Sequence, residues 1–220
     1  MILYSACYNE YHPFKDLVDR TEVVQWPTDL ESNKGILLLW GGEDISPYIY
    51  NEVVGLFTCA PAIPSARDKC EVALIHEAID IGMPIIAICR GAQLVCAVLG
   101  GKVIQHVNHH GQEHGIYTSD KQHLVTSSVH HQMMYPWNIE HELIAWSEQL
   151  SKTYLDGSDH EYSFPEQAYQ NNILLEPEIV YFPQAKCLAI QGHPEFMAFD
   201  NIFVQYCRTL FKERCYATNT

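Results

Sequence analysis

Basic residues are scarce in this chain. Its 220 residues contain 13 Lys and Arg against 27 Asp and Glu, which gives a formal net charge of −14. Binding to nucleic-acid backbones or to anionic membrane surfaces needs a basic face, so this charge balance argues against both kinds of partner. A macromolecular partner, if the protein has one, would present a neutral or basic docking surface.

Long hydrophobic runs are lacking too. No apolar segment approaches the roughly 20 residues that a membrane-spanning helix requires. The first eleven residues have no basic region and only a short apolar stretch, so we expect no signal peptide. The sequence has no internal repeat or low-complexity tract, and its hydrophobic fraction of 47% can fill a sizeable core. We therefore expect one globular domain covering residues 1–220.

The cysteines lack any Cys-x-x-Cys spacing that would indicate a metal site or a redox pair. Several lie within apolar runs, where a thiol behaves as a small core side chain. Scattered thiols of this kind favour the reducing cytoplasm over a secreted, disulfide-rich fold. The eight positions are Cys7, Cys59, Cys70, Cys89, Cys96, Cys187, Cys207 and Cys215.

Short apolar runs alternate with amphipathic stretches along the chain. This alternation predicts an α/β fold with a mostly parallel central sheet and helices on both faces. The segment 149–170 has no clear periodicity, and we interpret it as an irregular excursion near the site. The predicted strands are 2–6, 22–26, 36–40, 84–89, 102–105, 123–127, 143–146, 178–182 and 187–191, and the predicted helices are 66–81, 91–99 and 201–213.

The first candidate for chemistry is the segment 84–93, Pro-Ile-Ile-Ala-Ile-Cys-Arg-Gly-Ala-Gln. An apolar strand ends at Cys89, the small residues Ala87 and Gly91 flank it, and a helical pattern begins at once. A nucleophile elbow has this layout, because its tight strand-to-helix turn lifts the nucleophile above the sheet. The start of the helix would also offer backbone N–H groups to an oxyanion. The alternative is a structural cysteine buried at a strand end.

The second candidate is His193-Pro194-Glu195, which again follows an apolar strand. In extended backbone, residues two apart point the same way, so Glu195 can reach the imidazole of His193. A carboxylate in that position orients the ring and supports the imidazolium that forms when the ring takes a proton from a thiol. The alternative is a surface turn containing proline.

The third candidate is the glycine pair Gly41-Gly42, which ends another predicted strand. Glycines let the backbone approach a ligand closely and present its N–H groups. An ordinary turn is the alternative interpretation.

These motifs, taken in this order, resemble the class I glutamine amidotransferase superfamily, and most closely its γ-glutamyl-hydrolase-like branch, which includes γ-glutamyl-GABA hydrolase. The resemblance runs from about residue 36 to residue 196. It is carried by Gly-Gly-Glu-Asp-Ile-Ser-Pro at 41–47, Ala-Ile-Cys-Arg-Gly-Ala-Gln at 87–93, Ser-Val-His-His-Gln at 128–132, Gln-Gly-His-Pro-Glu at 191–195, and Arg67, Asp68 and Glu71.

The resemblance implies a flavodoxin-like fold and a Cys-His-Glu triad. Cys89 would be the nucleophile, His193 the base and then the acid, and Glu195 the group that orients His193. The implied reaction is attack on a γ-glutamyl carbonyl, release of the amine, and hydrolysis of a γ-glutamyl thioester by water. The superfamily likeness implies no cofactor and no metal.

The same resemblance implies the remaining parts of the site. The oxyanion hole would be formed by the backbone N–H groups of Gly42 and Arg90. Gln93 would contact the γ-glutamyl portion of the substrate. The segment Ser128, Val129 and His130 would line the glutamyl pocket.

Two activities fit these residues. The first is a glutamine amidotransferase domain that releases glutamate and passes ammonia to a separate synthetase or ligase. The second is a stand-alone hydrolase of γ-glutamyl amines or peptides, which the Arg90 side chain favours because ammonia-donating relatives more often carry Leu, Phe or Tyr there. A non-enzymatic binding protein is disfavoured, since the nucleophile, base and carboxylate are all present.

Two further clusters have structural interpretations. Arg67, Asp68 and Glu71 begin a predicted helix, where acidic side chains stabilise the positive end of the dipole, and we interpret them as a brace beneath the active-site turn. Four histidines, His106, His109, His110 and His114, lie close together in sequence and could converge on zinc. Because no carboxylate or thiol spacing completes a known pattern, we expect a polar loop over the pocket instead.

Overall fold

The computed structural model describes residues 1–6, 12–31 and 35–216. Cys7, which we expected to be a reduced thiol, lies outside these ranges. Within them, Cys59, Cys70, Cys89, Cys96, Cys187 and Cys207 carry free thiols. None of the helices described is both long enough and apolar enough to cross a bilayer.

Fourteen strands and three α-helices make up the regular structure of the described residues. In chain order, the strands are β1 (Ile2–Ser5), β2 (Arg20–Val23), β3 (Gly35–Leu39), β4 (Ile85–Ile88), β5 (Lys102–Ile104), β6 (His106–Val107), β7 (His114–Thr118), β8 (His123–Thr126), β9 (Met133–Tyr135), β10 (Glu142–Glu148), β11 (Tyr154–Leu155), β12 (Tyr169–Gln170), β13 (Ile173–Phe182) and β14 (Cys187–Ile190). The helices are α1 (Ala66–Asp80), α2 (Arg90–Val98) and α3 (Ile202–Phe211), and α3 continues into a π-helical turn, Lys212–Tyr216.

The main sheet has the spatial order β2-β1-β3-β4-β14-β13-β10-β7-β8. The first five strands in this order are parallel to one another. From β13 onward the pairing is antiparallel. Strands β3, β4 and β14 are buried along their whole length, as expected where helices cover both faces of a parallel sheet. The predicted α/β class is confirmed.

The two faces of the sheet carry separate hydrophobic clusters. Leu37 and Leu39 of β3 pack in the cluster that contains residues of α1 and α2. The alternate residues Ile36 and Leu38 pack in the other cluster, which contains α3 residues such as Phe203. Because side chains alternate along a strand, one apolar run supplies both layers. The helices therefore lie on both faces, as predicted.

Each predicted strand and helix overlaps an observed one, and the differences fall on short elements. The two-residue strands β6, β11 and β12, together with β7 and β9, were not predicted. Strand β7 reads His-Gly-Ile-Tyr-Thr, and its only fully apolar side chain, Ile116, offers no alternating pattern. Strand β11 lies inside the segment 149–170, where we expected no regular structure. Strands β6, β9 and β11 form through pairing with strands distant in sequence, which local periodicity does not report. Strands β7 and β12 instead pair with the strands that follow them directly.

The packing of α2 against β3 predicts that Gly91→Ala is destabilising. A Cβ at position 91 would lie 2.8 Å from the Cβ of Leu39 and 2.9 Å from its carbonyl carbon and oxygen, so helix and strand would have to separate. Overpacking of this kind costs about 1–3 kcal/mol, measurable as the free energy of unfolding in urea. Gly111→Ala is the matched control, because a Cβ there meets nothing within 4 Å. Equal losses in the two variants would contradict the packing described.

Candidate active site

Cys89 lies at the turn between β4 and α2. Its backbone has φ 49° and ψ −108°, a conformation that a non-glycine residue rarely adopts. Its N–H donates to the carbonyl oxygen of Ile190 in β14 at 2.7 Å, which ties the turn to the neighbouring strand. The predicted strand-turn-helix elbow is therefore present, with the strained residue at the position of the thiol.

His193 and Glu195 are in direct contact beside this turn. The Nδ1 atom of His193 lies 2.7 Å from Oε1 of Glu195. The sequence argument assumed extended backbone between them, but Pro194–Phe196 forms a short 3-10 turn that brings the carboxylate to the ring. The ring of Phe196 stacks on the imidazole with centroids 4.7 Å apart. The imidazole is thus held on one edge and on one face.

The electrostatic setting of His193 favours the imidazolium. Burial lowers its pKa, but hydrogen bonds and charge from Cys89 and Glu195 outweigh this and raise the pKa to about 10. Because Glu195 occupies Nδ1, the other ring nitrogen, Nε2, is left to the thiol. His193 is 4% exposed and Cys89 is 7% exposed, so both groups interact with little screening by solvent.

The glycine pair lies over this imidazole. A Cβ at Gly41 would come within 2.7 Å of Cε1 of His193 and 3.4 Å of the Cβ of Cys89, so no larger residue fits. Gly42 has φ +143°, which favours glycine. Nη2 of Arg67 donates to the carbonyl oxygen of Gly41 at 3.0 Å. Since the C=O and N–H of a trans peptide point in opposite directions, the N–H of Gly42 points away from this guanidinium.

A buried ion-pair network connects the elbow to the glycine turn, and we call these four side chains the brace: Arg67, Asp68, Glu71 and Arg90. The guanidinium of Arg90 pairs with Asp68 at 2.5 Å and with Glu71. Glu71 also accepts from Nε of Arg67 at 2.9 Å. Asp68 in turn caps α1 by accepting from the N–H of Ser65. Arg67, Asp68 and Glu71 of α1 therefore have the structural role that the sequence analysis expected, as a brace beneath the active-site turn.

The direction of the Arg90 side chain bears on the choice between the two candidate activities. It is 1% exposed, lies within the brace, and is not among the residues that line the cavity at Cys89. The side chain therefore does not line the space where a leaving group would lie, and the hydrolase preference drawn from the residue type at position 90 stays a prediction. The backbone N–H of Arg90 stands at the first helical position, where an α-helix offers no internal acceptor.

A cavity of about 220 Å³ opens at the thiol. Residues from both the parallel half of the sheet and the segment 128–132 surround it. Its lining consists of Gly42, Asp44, Cys89, Gln93, Val129, His130, His131, Gln132, His193 and Phe196.

Most of the substrate residues expected from the resemblance lie on this cavity. Gln93, Val129 and His130 line it, and Nε2 of Gln93 donates to the carbonyl oxygen of Gln132 at 3.0 Å. Ser128 does not line it, since its hydroxyl donates to the carbonyl oxygen of His110. A contribution from the Ser128 backbone stays a prediction.

The sequence analysis gave two charged residues of the cavity no part in substrate binding. Asp44 and His131 form an ion pair with Oδ1 and Nε2 3.2 Å apart. Burial raises the pKa of Asp44, but hydrogen bonds from His131, Cys59 and Thr58 outweigh it and lower the pKa. The hydrogen bond to Asp44 raises the pKa of His131. Both residues belong to motifs that carried the family resemblance. Their place in those motifs was the sequence feature that could have indicated a position in the cavity.

Two of the four clustered histidines, His110 and His114, stay in contact in the fold, with ring centroids 5.0 Å apart. His106 stacks on Phe57 with centroids 4.4 Å apart, and His109 is exposed. His110 is buried, so the expectation of a polar loop over the pocket is wrong for this residue. His110 and His114 face the buried carboxylates Glu176 and Glu178 of β13. Two acidic residues at alternate positions of an apolar strand were the signal that the sequence interpretation missed.

Comparison with known proteins defines the family. The Peptidase C26 family profile matches residues 28–149, more than half of the chain, so the chain belongs to this family. The family and the glutamine amidotransferase-like relatives place it in the class I glutamine amidotransferase superfamily. The γ-glutamyl-GABA hydrolase branch is not specifically supported.

Among curated relatives, the glutamine amidotransferase-like protein YvdE of Lactococcus lactis is 36% identical over 93 residues, covering 41% of this chain and 36% of YvdE. The carbamoyl phosphate synthase small chain of Brucella ovis is 33% identical over 69 residues, covering 30% of this chain and 17% of the relative. The matched segments thus span less than half the length of these relatives.

Two solved structures share the fold across nearly the whole chain. A glutamine amidotransferase from Thermotoga maritima aligns with a TM-score of 0.52 at 15% identity, covering 98% of this chain and 84% of that one. The glutaminase domain of Trypanosoma brucei CTPS, with bound acivicin, aligns with a TM-score of 0.53 at 12% identity, covering 98% and 93%.

The brace predicts a large loss of stability for Arg90→Met. The substitution leaves the carboxylates of Asp68 and Glu71 buried without this cation, which costs about 3–5 kcal/mol in the free energy of unfolding. Arg20→Met is the matched control, because Arg20 pairs with Glu22 at the surface, with side chains 62% and 41% exposed. We expect less than about 1 kcal/mol there. A loss for Arg90→Met no larger than the control would show that the brace contributes nothing.

The environment of His193 predicts its titration. Its pKa of about 10 lies above the ordinary value of 6.5, so the resulting stabilisation is complete below pH 6.5 and is lost as pH rises through about 10. Cys89→Ala removes a contribution that raises the pKa, and burial then shifts the titration to lower pH. Nitrogen NMR of the imidazole measures both midpoints. Cys59→Ala removes an exposed thiol and should leave the titration midpoint of His193 unchanged. An unchanged midpoint in Cys89→Ala would contradict the influence of Cys89 on His193.

Proposed function

We propose that the protein is a class I glutamine amidotransferase-type enzyme that cleaves the γ-amide of glutamine and supplies ammonia to a separate synthetase. One observation carries this proposal: the imidazole of His193 contacts the carboxylate of Glu195 and lines the same small cavity as Cys89. A thiol beside an oriented base is the arrangement that nucleophilic catalysis at a carbonyl requires.

The proposed reaction has two halves. His193 holds the proton from the thiol of Cys89, and the sulfur attacks the γ-carbonyl carbon of the substrate. The carbon–nitrogen bond breaks as His193 passes that proton to the nitrogen, and ammonia leaves a γ-glutamyl thioester. Water then attacks the thioester, giving a proton to His193, which returns it to the sulfur as glutamate departs. Glu195 keeps the ring oriented and supports its positive charge throughout.

We propose that the N–H groups of Gly42 and Arg90 stabilise the oxyanion formed in both halves. The N–H of Arg90 begins α2, where the helix dipole favours negative charge. The N–H of Gly42 is turned away from Arg67 because that guanidinium holds the preceding carbonyl. The brace thereby fixes both donors before substrate arrives, which is what electrostatic stabilisation of a transition state needs.

The cavity suits a small zwitterionic substrate. At about 220 Å³ it is smaller than the pockets of about 300–1,000 Å³ that take drug-sized ligands. Asp44 is an acceptor for an α-amino group, and His131 is a donor for an α-carboxylate. Gln93, Val129 and His130 would contact the glutamyl portion, with the Ser128 backbone nearby.

A synthetase partner is supported by the surface beside the cavity. Residues 48–63 expose several large apolar side chains, and this stretch is tied to the cavity because the N–H of Cys59 donates to Asp44. Exposed apolar groups of this size mark interaction surfaces when they are contiguous. The exposed residues are Tyr48, Val53, Val54, Leu56, Phe57 and Ile63. The names of the carbamoyl phosphate synthase and CTPS relatives favour the same kind of partner.

We further propose that residues 1–220 act as one domain in the cytoplasm. The parallel and antiparallel halves share one sheet, which supports a single folding unit. The free thiols of the described residues, named above, support a reducing compartment.

The second candidate is a stand-alone hydrolase of γ-glutamyl amines. It is favoured by the match to the Peptidase C26 family profile, whose name denotes a hydrolase. The two activities differ in the leaving group and in the need for a second protein, so one assay of the purified chain separates them.

The test is release of glutamate and ammonia from glutamine, beside release of glutamate from a set of γ-glutamyl amines. Cys89→Ala should lower turnover of every substrate by at least about 10⁴-fold with the fold intact by circular dichroism. Cys59→Ala is the matched thiol control and should retain turnover. Turnover that survives Cys89→Ala would overturn the proposed mechanism.

The pattern of substrates then decides between the candidates. Slow glutamine turnover by the chain alone, with Cys89 still alkylated by a glutamine-mimicking electrophile, supports a partner-dependent amidotransferase. Rapid turnover of a γ-glutamyl amine with little glutaminase activity supports the stand-alone hydrolase and rejects the leading proposal.

A further inference from the structure

A cluster of buried histidines and carboxylates lies behind one wall of the cavity. His110, His130 and Glu178 each place one side-chain nitrogen or oxygen within 4.8 Å of the other two. The three residues are 1%, 5% and 1% exposed. They come from different parts of the chain: the segment before β7, the segment after β8, and strand β13.

Each of the three residues has a buried polar atom without a hydrogen-bond partner among the described residues: Nε2 of His130, Nδ1 of His110 and Oε2 of Glu178. A buried polar atom without a partner costs about 1–3 kcal/mol, and three such atoms within one cluster of side chains require an explanation. A shared ligand supplies it.

The outer atoms of the same three residues are held in place. Nδ1 of His130 donates to the carbonyl oxygen of Gln132 at 2.8 Å, which leaves the lone pair on Nε2. Nε2 of His110 lies 3.2 Å from Oε2 of Glu176. Oε1 of Glu178 lies 2.7 Å from Nε2 of His114. Protein metal sites have this outer layer, in which a carbonyl or carboxylate orients each ligating imidazole.

The charge of the buried carboxylates also favours a bound cation. Glu176 and Glu178 are both buried, and among the described residues their only ion-pair partners are histidines. Two buried carboxylates without a lysine or arginine leave negative charge that a cation would compensate. Glu176 is already saturated, because it accepts from Tyr154, Ser147 and the N–H groups of residues 150 and 151. Glu178 is the carboxylate with a free oxygen.

We propose that His110, His130 and Glu178 bind one first-row divalent transition-metal ion, with Zn²⁺ the best fit to two imidazoles and one carboxylate. Ca²⁺ and Mg²⁺ prefer sites made of oxygen ligands, so this donor set selects against them. Around tetrahedral zinc, with bonds of about 2.0 Å, ligand atoms lie about 3.3 Å apart, so side-chain shifts of about 1 Å would close the site.

A metal ion bound in this cluster would stabilise one wall of the cavity. His130 lines the cavity at Cys89 and also belongs to the cluster. A bound ion would therefore fix one wall of the cavity against β13 and the segment that carries His110. The site is separate from the proposed triad, because none of its ligands is Cys89, His193 or Glu195.

The experiment measures metal binding directly, on protein without a polyhistidine tag. Chelator-treated Cys89→Ala protein, which lacks the rival thiol ligand, is titrated with Co²⁺ and then with Zn²⁺. We expect one Co²⁺ per chain, a visible spectrum of nitrogen and oxygen ligation without a thiolate charge-transfer band, and displacement by Zn²⁺.

Variants assign the ligands. Glu178→Gln and His130→Gln, added separately, should each weaken Co²⁺ binding by at least about 100-fold. His109→Asn is the control on the same segment, since His109 is exposed and Asn accepts its positive φ of 66°. Equal binding by Glu178→Gln and His109→Asn, or the absence of one-to-one binding, would overturn the proposal.

A second measurement needs no substitution. Crystals of the unmutated protein soaked in Co²⁺ should show one anomalous peak between His110, His130 and Glu178. A peak elsewhere, or none, would reject the site even where the variants fail to fold.

Discussion

The buried pairing of Arg90 with Asp68 and Glu71 is the constraint on which the candidate active site depends. Arg90 follows the proposed nucleophile directly, and Glu71 shares its carboxylate with Arg67, which holds the carbonyl of Gly41. One set of charges therefore sets the elbow and the glycine turn relative to each other. Burying these ions is costly, so the network persists only while every partner is present.

The parallel half of the sheet brings the parts of the site together. Strands β3, β4 and β14 are neighbours and point the same way, so the segments after them, with Gly41, Cys89 and His193, meet at one edge. Ligand sites of open α/β sheets lie at this edge. The antiparallel half supplies the opposite wall through the segment 128–132, and behind that wall lie His110, His130 and Glu178, which we propose bind a metal.

The parts of this arrangement that could be predicted were those with local signals. The small-x-Cys-x-Gly pattern indicated the elbow, and a glycine is required at position 91 because Leu39 leaves no space for a Cβ. The contact of His193 with Glu195 was predicted from extended backbone, whereas a 3-10 turn makes it. The direction of Arg90 and the meeting of His130 with Glu178 depend on segments far apart in sequence, and no periodicity reports them.

The central claim is that Cys89 forms a γ-glutamyl thioester, and mass spectrometry tests it most directly. The protein is mixed with glutamine, quenched in acid to preserve the thioester, and digested. We expect the peptide containing Cys89 to gain the mass of a glutamyl group, and the adduct to vanish on treatment with hydroxylamine. Glutamate release without an adduct on Cys89, or with the adduct on another residue, would contradict the account.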